Sequence, residues 1–216
     1  MAWYAVPARK PGPLPLIIYL HGGFAFGSED FDHARPFLGS GFAVLTPTFR
    51  GENGNPGYFE MFLGEVDDVL ASVKWARTQP EVDPSRIYVF GHSTGGALAA
   101  LACLRADGGL RAGGAASGLY GREFFDQTAD IAPFRITDDE LRRRRLFLPR
   151  AAELQVPFIF YLETDGFSQA TVRQLERLAA QDKVPLAATL IGGDHFSMLP
   201  KAVSAFMVRL QTPWAR

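Results

Sequence analysis

A chain of 216 residues is long enough to bury a full core in one domain. Its 22 basic and 23 acidic residues leave a net charge of −1, which excludes the electrostatic footprint of a nucleic-acid or anionic-membrane binder. No apolar run approaches the roughly 18 residues of a spanning helix, residues 1–10 lack the pattern of a signal peptide, and the single cysteine, Cys103, excludes an internal disulfide. Metal-ligand spacings are missing too. The expectation is a cytoplasmic, single-domain protein over 1–216, with no cofactor, no metal, and neither nucleic acid nor membrane as partner.

Short apolar runs alternate with segments of helical periodicity, the pattern of an α/β protein with a mostly parallel sheet. In chain order, LPLIIYL (14–20) and FAVLTP (42–47) read as buried strands, nearly continuous in apolar residues and bounded by Gly, Pro or polar residues. EVDDVLASVKWARTQ (65–79) follows as a helix, with Val66, Val69, Leu70 and Val73 on one face and Pro80 as the stop. RIYVFG (86–91) is the third strand, and AGGAAS (112–117) is the fourth and weakest, because Gly and Ala offer little to pack.

Residues 119–150 separate two strands by far more than a usual connection and are expected to form a small cap-like insert. Within it, Thr137 and Glu140 read as a capping box, and Arg142–Arg145 as a solvated helix end. VPFIFYL (156–162) and PLAATLI (185–191) complete about six strands. A helix over 168–181 starts from Ser168 as N-cap, and a last helix carries Val203, Phe206, Met207 and Leu210.

The stretch carrying chemistry is RIYVFGHSTGGALAALACL, in which Gly91-x-Ser93-x-Gly95 lies between a strand and an Ala/Leu-rich helix. A serine on so sharp a turn is lifted above the sheet edge with a helix N-terminus aimed at it, and the amide of Thr94 becomes an oxyanion donor. A second donor is expected from His21-Gly22-Gly23-Phe24, from the amide of Gly23 or Phe24. The serine hydroxyl needs a base, and the base needs an acid to fix its tautomer. Of the four histidines, His21 and His92 sit inside glycine motifs as structural rings and His33 lies in an early exposed segment. His195, in the glycine-bearing loop after the last strand, is the best base. The acid is expected just beyond the preceding strand, at Asp165, with Glu163 as the alternative. Asp194 is too close in sequence to His195 to serve it.

The order Ser93, Asp165, His195 is that of the α/β-hydrolase fold. The chain resembles that superfamily, and within it the prolyl oligopeptidase-type catalytic domain, through HGGF (21–24), TFRGENGNPG (48–57), EVDDVLASVKWARTQPEVDPSRIYVFGHSTGG (65–96) and GGDHF (192–196). The resemblance covers most of residues 14–200. It implies Ser93 as nucleophile, Asp165 as acid and His195 as base, with a backbone oxyanion hole from Thr94 and the HGGF loop.

Two departures stand out. The acid loop, Leu162-Glu163-Thr164-Asp165-Gly166-Phe167, differs from the family's pattern, and the propeller and most of the first strand pair are lacking, with AWYAV (2–6) as a remnant of the second strand. The chain therefore reads as a minimal hydrolase or as a piece of a longer one, with an open sheet edge that a homo-oligomer would cover.

The activity expected is cleavage of small or medium carboxylic esters through an acyl-enzyme, with an apolar acyl pocket built from some of the 18 phenylalanines. A peptidase or acylaminoacyl hydrolase acting on short peptides is the alternative. An inactive, hydrolase-like binding protein or fragment is the third reading.

Overall fold

The computed structural model describes residues 1–8, 12–105, 109–166, 169–181 and 184–212. Strands β1 (Ala2–Ala5), β2 (Leu14–Leu20), β3 (Ala43–Pro47), β4 (Val82–His92), β5 (Ala112–Ala116), β6 (Phe158–Glu163) and β7 (Leu186–Ile191) form one sheet in the order β1-β3-β2-β4-β5-β6-β7. Every neighbouring pair is parallel except β1 with β3, where Ala2 faces Pro47 and Ala5 faces Val44 in antiparallel register. The six apolar runs are thus the six parallel strands, and the N-terminal remnant is an antiparallel edge strand.

Because side chains alternate along a strand, β2 serves two cores. Leu16, Ile18 and Leu20 join the core under α2 (Gly64–Ala76), α3 (Thr94–Ala102) and α6 (Gln169–Ala179). Ile17 and Tyr19 join the opposite core with Phe37 of α1 (Ser28–Gly39) and Phe206 of α7 (Leu199–Leu210). Val66, Val69, Leu70 and Val73 are all buried on the inner face of α2, as their spacing predicts. All nine residues of α3 are buried, so this helix needs no polar face.

The composition of β5 has a packing reason. A methyl group at Gly113 would lie 2.7 Å from the Phe158 ring and 2.8 Å from Cys103 Sγ. The side-chain-free strand lets the Phe158 ring and α3 approach its backbone directly.

The 119–150 segment carries α4 (Glu123–Gln127) and α5 (Asp139–Arg143), and Tyr120, Phe125 and Phe147 from it are buried in the core beside Phe158 and Phe160. Two local expectations are corrected here. The cap of α5 is Asp138, not Thr137, because the Asp138 carboxylate accepts from the amides of both Glu140 and Leu141. Arg145 is not part of a solvated end. It is buried, lies 4.1 Å over the Phe134 ring, and donates to the carbonyls of Glu60 and Leu141. The proposed cap Ser168 lies outside the described residues.

Candidate active site

The C-terminal ends of β2, β4, β5 and β6 and the loop after β7 meet at one edge of the sheet, where ligands gather in open α/β folds. Each contributes one part of the site.

Ser93 joins β4 to α3 at φ 55° and ψ −119°, a left-handed conformation that a residue with a side chain rarely adopts. The turn is possible because strand and helix touch without side chains: a methyl group at Gly91 would sit 2.1 Å from the Gly95 carbonyl oxygen, and one at Gly95 2.2 Å from that of Leu20. The backbone is held by the Ser93 amide donating to Ala116 and by the Ser93 carbonyl accepting from Ala97, at 3.0 and 3.1 Å. Among the described residues the Ser93 hydroxyl has no hydrogen-bond partner.

The HGGF loop lies against this turn. The Thr94 hydroxyl donates to the Gly23 carbonyl at 2.7 Å, and a methyl group at Gly22 would meet Ser93 Cβ at 3.3 Å. Gly23 adopts φ 71°, open to glycine at no steric cost. The Thr94 amide is the first of α3, where no intrahelical acceptor exists. Thr94 and the candidate donors Gly23 and Phe24 thus border one spot beside Ser93. Beneath the loop, buried His21 places Nε2 3.0 Å from Glu52 Oε1 and Nδ1 2.9 Å from the Gly22 carbonyl. Burial alone would lower the His21 pKa, but Glu52 and the carbonyl outweigh it and hold it above the ordinary value.

The loop carrying His195 is tied to the elbow through the residue before Ser93. His92 Nε2 donates to the His195 carbonyl at 2.8 Å, and the two rings lie 4.8 Å apart. Burial pushes His92 down to about 4, so it remains neutral with its proton on Nε2. The His195 ring is one-third exposed. Its Nδ1 lies 2.5 Å from the Ser117 hydroxyl and 3.6 Å from Glu163 Oε1.

The acid position departs from the first expectation. Asp165 is exposed, and its carboxylate accepts from the Thr164 hydroxyl at 3.0 Å. Glu163, the alternative, is the last residue of β6, only 6% exposed, and is the carboxylate brought against His195. Burial would raise its pKa, but His195, its own backbone amide and the Ser117 hydroxyl together hold it below the ordinary value. The physical reason is reach: a glutamate at the strand end spans the gap that an aspartate would cross from the loop. Ser117 was not singled out by the sequence. Its one signal is being the polar residue ending the Gly/Ala strand, level with Ser93 across the sheet.

Two cavities flank these groups. One of about 40 Å³ is lined by Phe24, Phe49, Phe59, Phe62, Thr94 and Leu98 among others. The other, about 450 Å³, borders Ser117, His195, Leu119 and Phe124, with Glu123, Asp165 and Asp194 on its wall. The insert lines the larger cavity with Leu119, Tyr120, Phe124 and one carboxylate, Glu123, while Asp165 and Asp194 come from the loops after β6 and β7. Among the described residues no group of three or more His, Cys, Asp or Glu side chains is arranged to hold a metal ion.

A mostly parallel sheet with a serine on a strand–helix elbow and a histidine after the last strand defines the α/β-hydrolase class. Residues 17–210 match the alpha/beta hydrolase family, and the chain belongs to it. The uncharacterized peptidase YtmA of Bacillus subtilis is 33% identical over 106 residues, which take up 48% of this chain and 40% of that protein. Matched stretches occupy between 30% and 47% of the curated relatives' own lengths.

Among solved structures, an acylaminoacyl peptidase of Pyrococcus horikoshii superposes with a TM-score of 0.76 at 18% identity, covering 97% of this chain and 38% of that one. The esterase Est2 of Thermogutta terrifontis, bound to propionate, gives 0.72 at 17% identity, covering 100% of this chain and 91% of the esterase. At these identities the likeness is one of fold, shared with prolyl oligopeptidase-type catalytic domains.

Proposed function

We propose that this protein is a serine hydrolase that cleaves small carboxylic esters through an acyl-enzyme. The observation that carries the reading is the junction of elbow and base: Ser93 stands in a strained left-handed turn at the start of α3, and the adjacent His92 binds the backbone of His195. In this reading His195 Nε2 takes the Ser93 proton as the hydroxyl oxygen attacks the ester carbonyl. The amides of Thr94 and of the Gly23–Phe24 segment receive the oxyanion. Collapse of the tetrahedral intermediate expels the alcohol, to which His195 returns the proton. Water, deprotonated by His195, then resolves the acyl-enzyme. Glu163 supports the imidazolium formed in each step.

The aromatic cavity beside Thr94 sets the acyl preference. Its volume of about 40 Å³ leaves room for only a few water-sized groups, which fits a short acyl chain. The likeness of Est2 supports ester chemistry, and that of the peptidases supports a second reading, hydrolysis of short peptide amides.

A p-nitrophenyl ester series tests the proposal alongside peptide amides. The expected profile has its highest kcat/KM at acetyl to butyryl and falls by about tenfold or more by octanoyl. Amide cleavage at rates matching the esters would favour the second reading, and a flat chain-length profile would contradict the short acyl pocket.

A further inference from the structure

Ser117 is 1% exposed and sits at φ 50°, in the left-handed region, as the chain leaves β5. Its amide donates to the Tyr161 carbonyl at 2.9 Å, so the backbone is fixed from β6. A glycine would hold this conformation with less strain. What serine adds is a hydroxyl, and that hydroxyl lies 2.8 Å from Glu163 Oε1 and 2.5 Å from His195 Nδ1. The direct Nδ1–Oε1 separation, 3.6 Å, is too long for a hydrogen bond.

We infer that Ser117 is a positioning residue that links the Glu163 carboxylate to His195 through its hydroxyl and fixes the imidazole in the tautomer that can act as base. The inference rests on the reading of Ser93 and His195 as nucleophile and base. Proton counting carries it. An ionised carboxylate only accepts, so the single hydroxyl hydrogen of Ser117 points to Glu163 Oε1. The hydroxyl oxygen can then only accept from His195, which places the ring proton on Nδ1 and leaves the lone pair on Nε2. His195 Nε2 has no hydrogen-bond partner among the described residues, and in this tautomer it carries the lone pair that a base needs. When Nε2 is protonated, the charge faces Glu163 across the serine oxygen.

The other contacts leave this relay without a substitute. Among the described residues Glu163 Oε2 is buried with no hydrogen-bond partner, and the carboxylate bonds the Ser117 hydroxyl through Oε1. The hydrogen bond from His92 goes to the backbone of His195 and orients no ring nitrogen.

The test is a double-mutant cycle with Ser117→Ala and Glu163→Gln, read by ester kcat, KM and the rate of fluorophosphonate adduct formation. Ser117→Gly runs in parallel, because it removes the hydroxyl while relieving the backbone. Each serine variant is expected to lower kcat on the order of 10²-fold while KM changes less than about threefold. In the Glu163→Gln background the same substitution should cost less than about threefold more, because the link is already broken. Losses that multiply, or a folded Ser117→Gly enzyme retaining wild-type kcat, would overturn the role of Ser117 alone. A wild-type chain that forms no adduct would overturn the hydrolase reading and the relay together.

Discussion

Three side chains at the sheet edge have different surroundings, and single substitutions test the roles proposed for them. Ser93→Ala should lower kcat on the order of 10⁶-fold while leaving the melting temperature close to wild type, since its hydroxyl has no hydrogen-bond partner among the described residues. Glu163→Gln should cost on the order of 10⁴-fold. Asp165→Asn should cost less than about tenfold, because Asp165 is exposed and bonded to Thr164 rather than to His195. Steady-state kinetics on one short ester ranks all three.

His21 makes a prediction of the opposite kind, on stability. Its pKa is raised on folding, so the native state holds its proton more tightly than the unfolded chain. The stabilisation is complete below about pH 6.5, the unfolded value, and is lost as pH rises through the folded value. Melting temperatures measured from pH 5 to 9 should fall over that window, and Glu52→Gln should flatten the slope. Glu163 acts at the other end, contributing above its ordinary value of 4.5 and losing that contribution as pH falls through its folded value.

At the level of elements, the elbow is a contact between backbones. Gly95→Ala places a methyl group 2.2 Å from the Leu20 carbonyl and should leave little folded protein, whereas Ala97→Gly, two residues further into α3, should cost only about 1 kcal/mol. Circular dichroism and yield of soluble protein distinguish the two.

The elements themselves were plain in the sequence wherever a strand or helix has an unbroken apolar pattern, as in β2, β6 and α2. The elbow was plain too, because small residues around a serine have few other uses between strand and helix. Less legible was the acid. The choice between Glu163 and Asp165 depends on how far β6 extends before the chain turns, and hydrophobic pattern does not locate a strand end to within two residues. Ser117 was hidden because its contacts come from β6 and the loop after β7, both distant in sequence. The α5 cap was misassigned because neighbouring Thr137 and Asp138 both suit the motif, and the carboxylate that accepts two amides prevails.

For the molecule as a whole, the 119–150 segment joins the main core rather than sitting on it. Tyr120, Phe125 and Phe147 are fully buried, and Arg145 ties the segment to the Glu60 carbonyl. Urea unfolding followed by tryptophan fluorescence and circular dichroism is therefore expected to give one coincident transition. Arg145→Ala should shift it by about 2–4 kcal/mol, through two lost hydrogen bonds and the contact with Phe134. Separate transitions would mean that the segment folds on its own.

The central claim, an activated Ser93 served by His195, is tested most directly by intact mass after incubation with a fluorophosphonate. The wild-type chain should form a single adduct and Ser93→Ala none. A well-folded wild-type protein that stays unmodified, or an adduct that persists in Ser93→Ala, would contradict it.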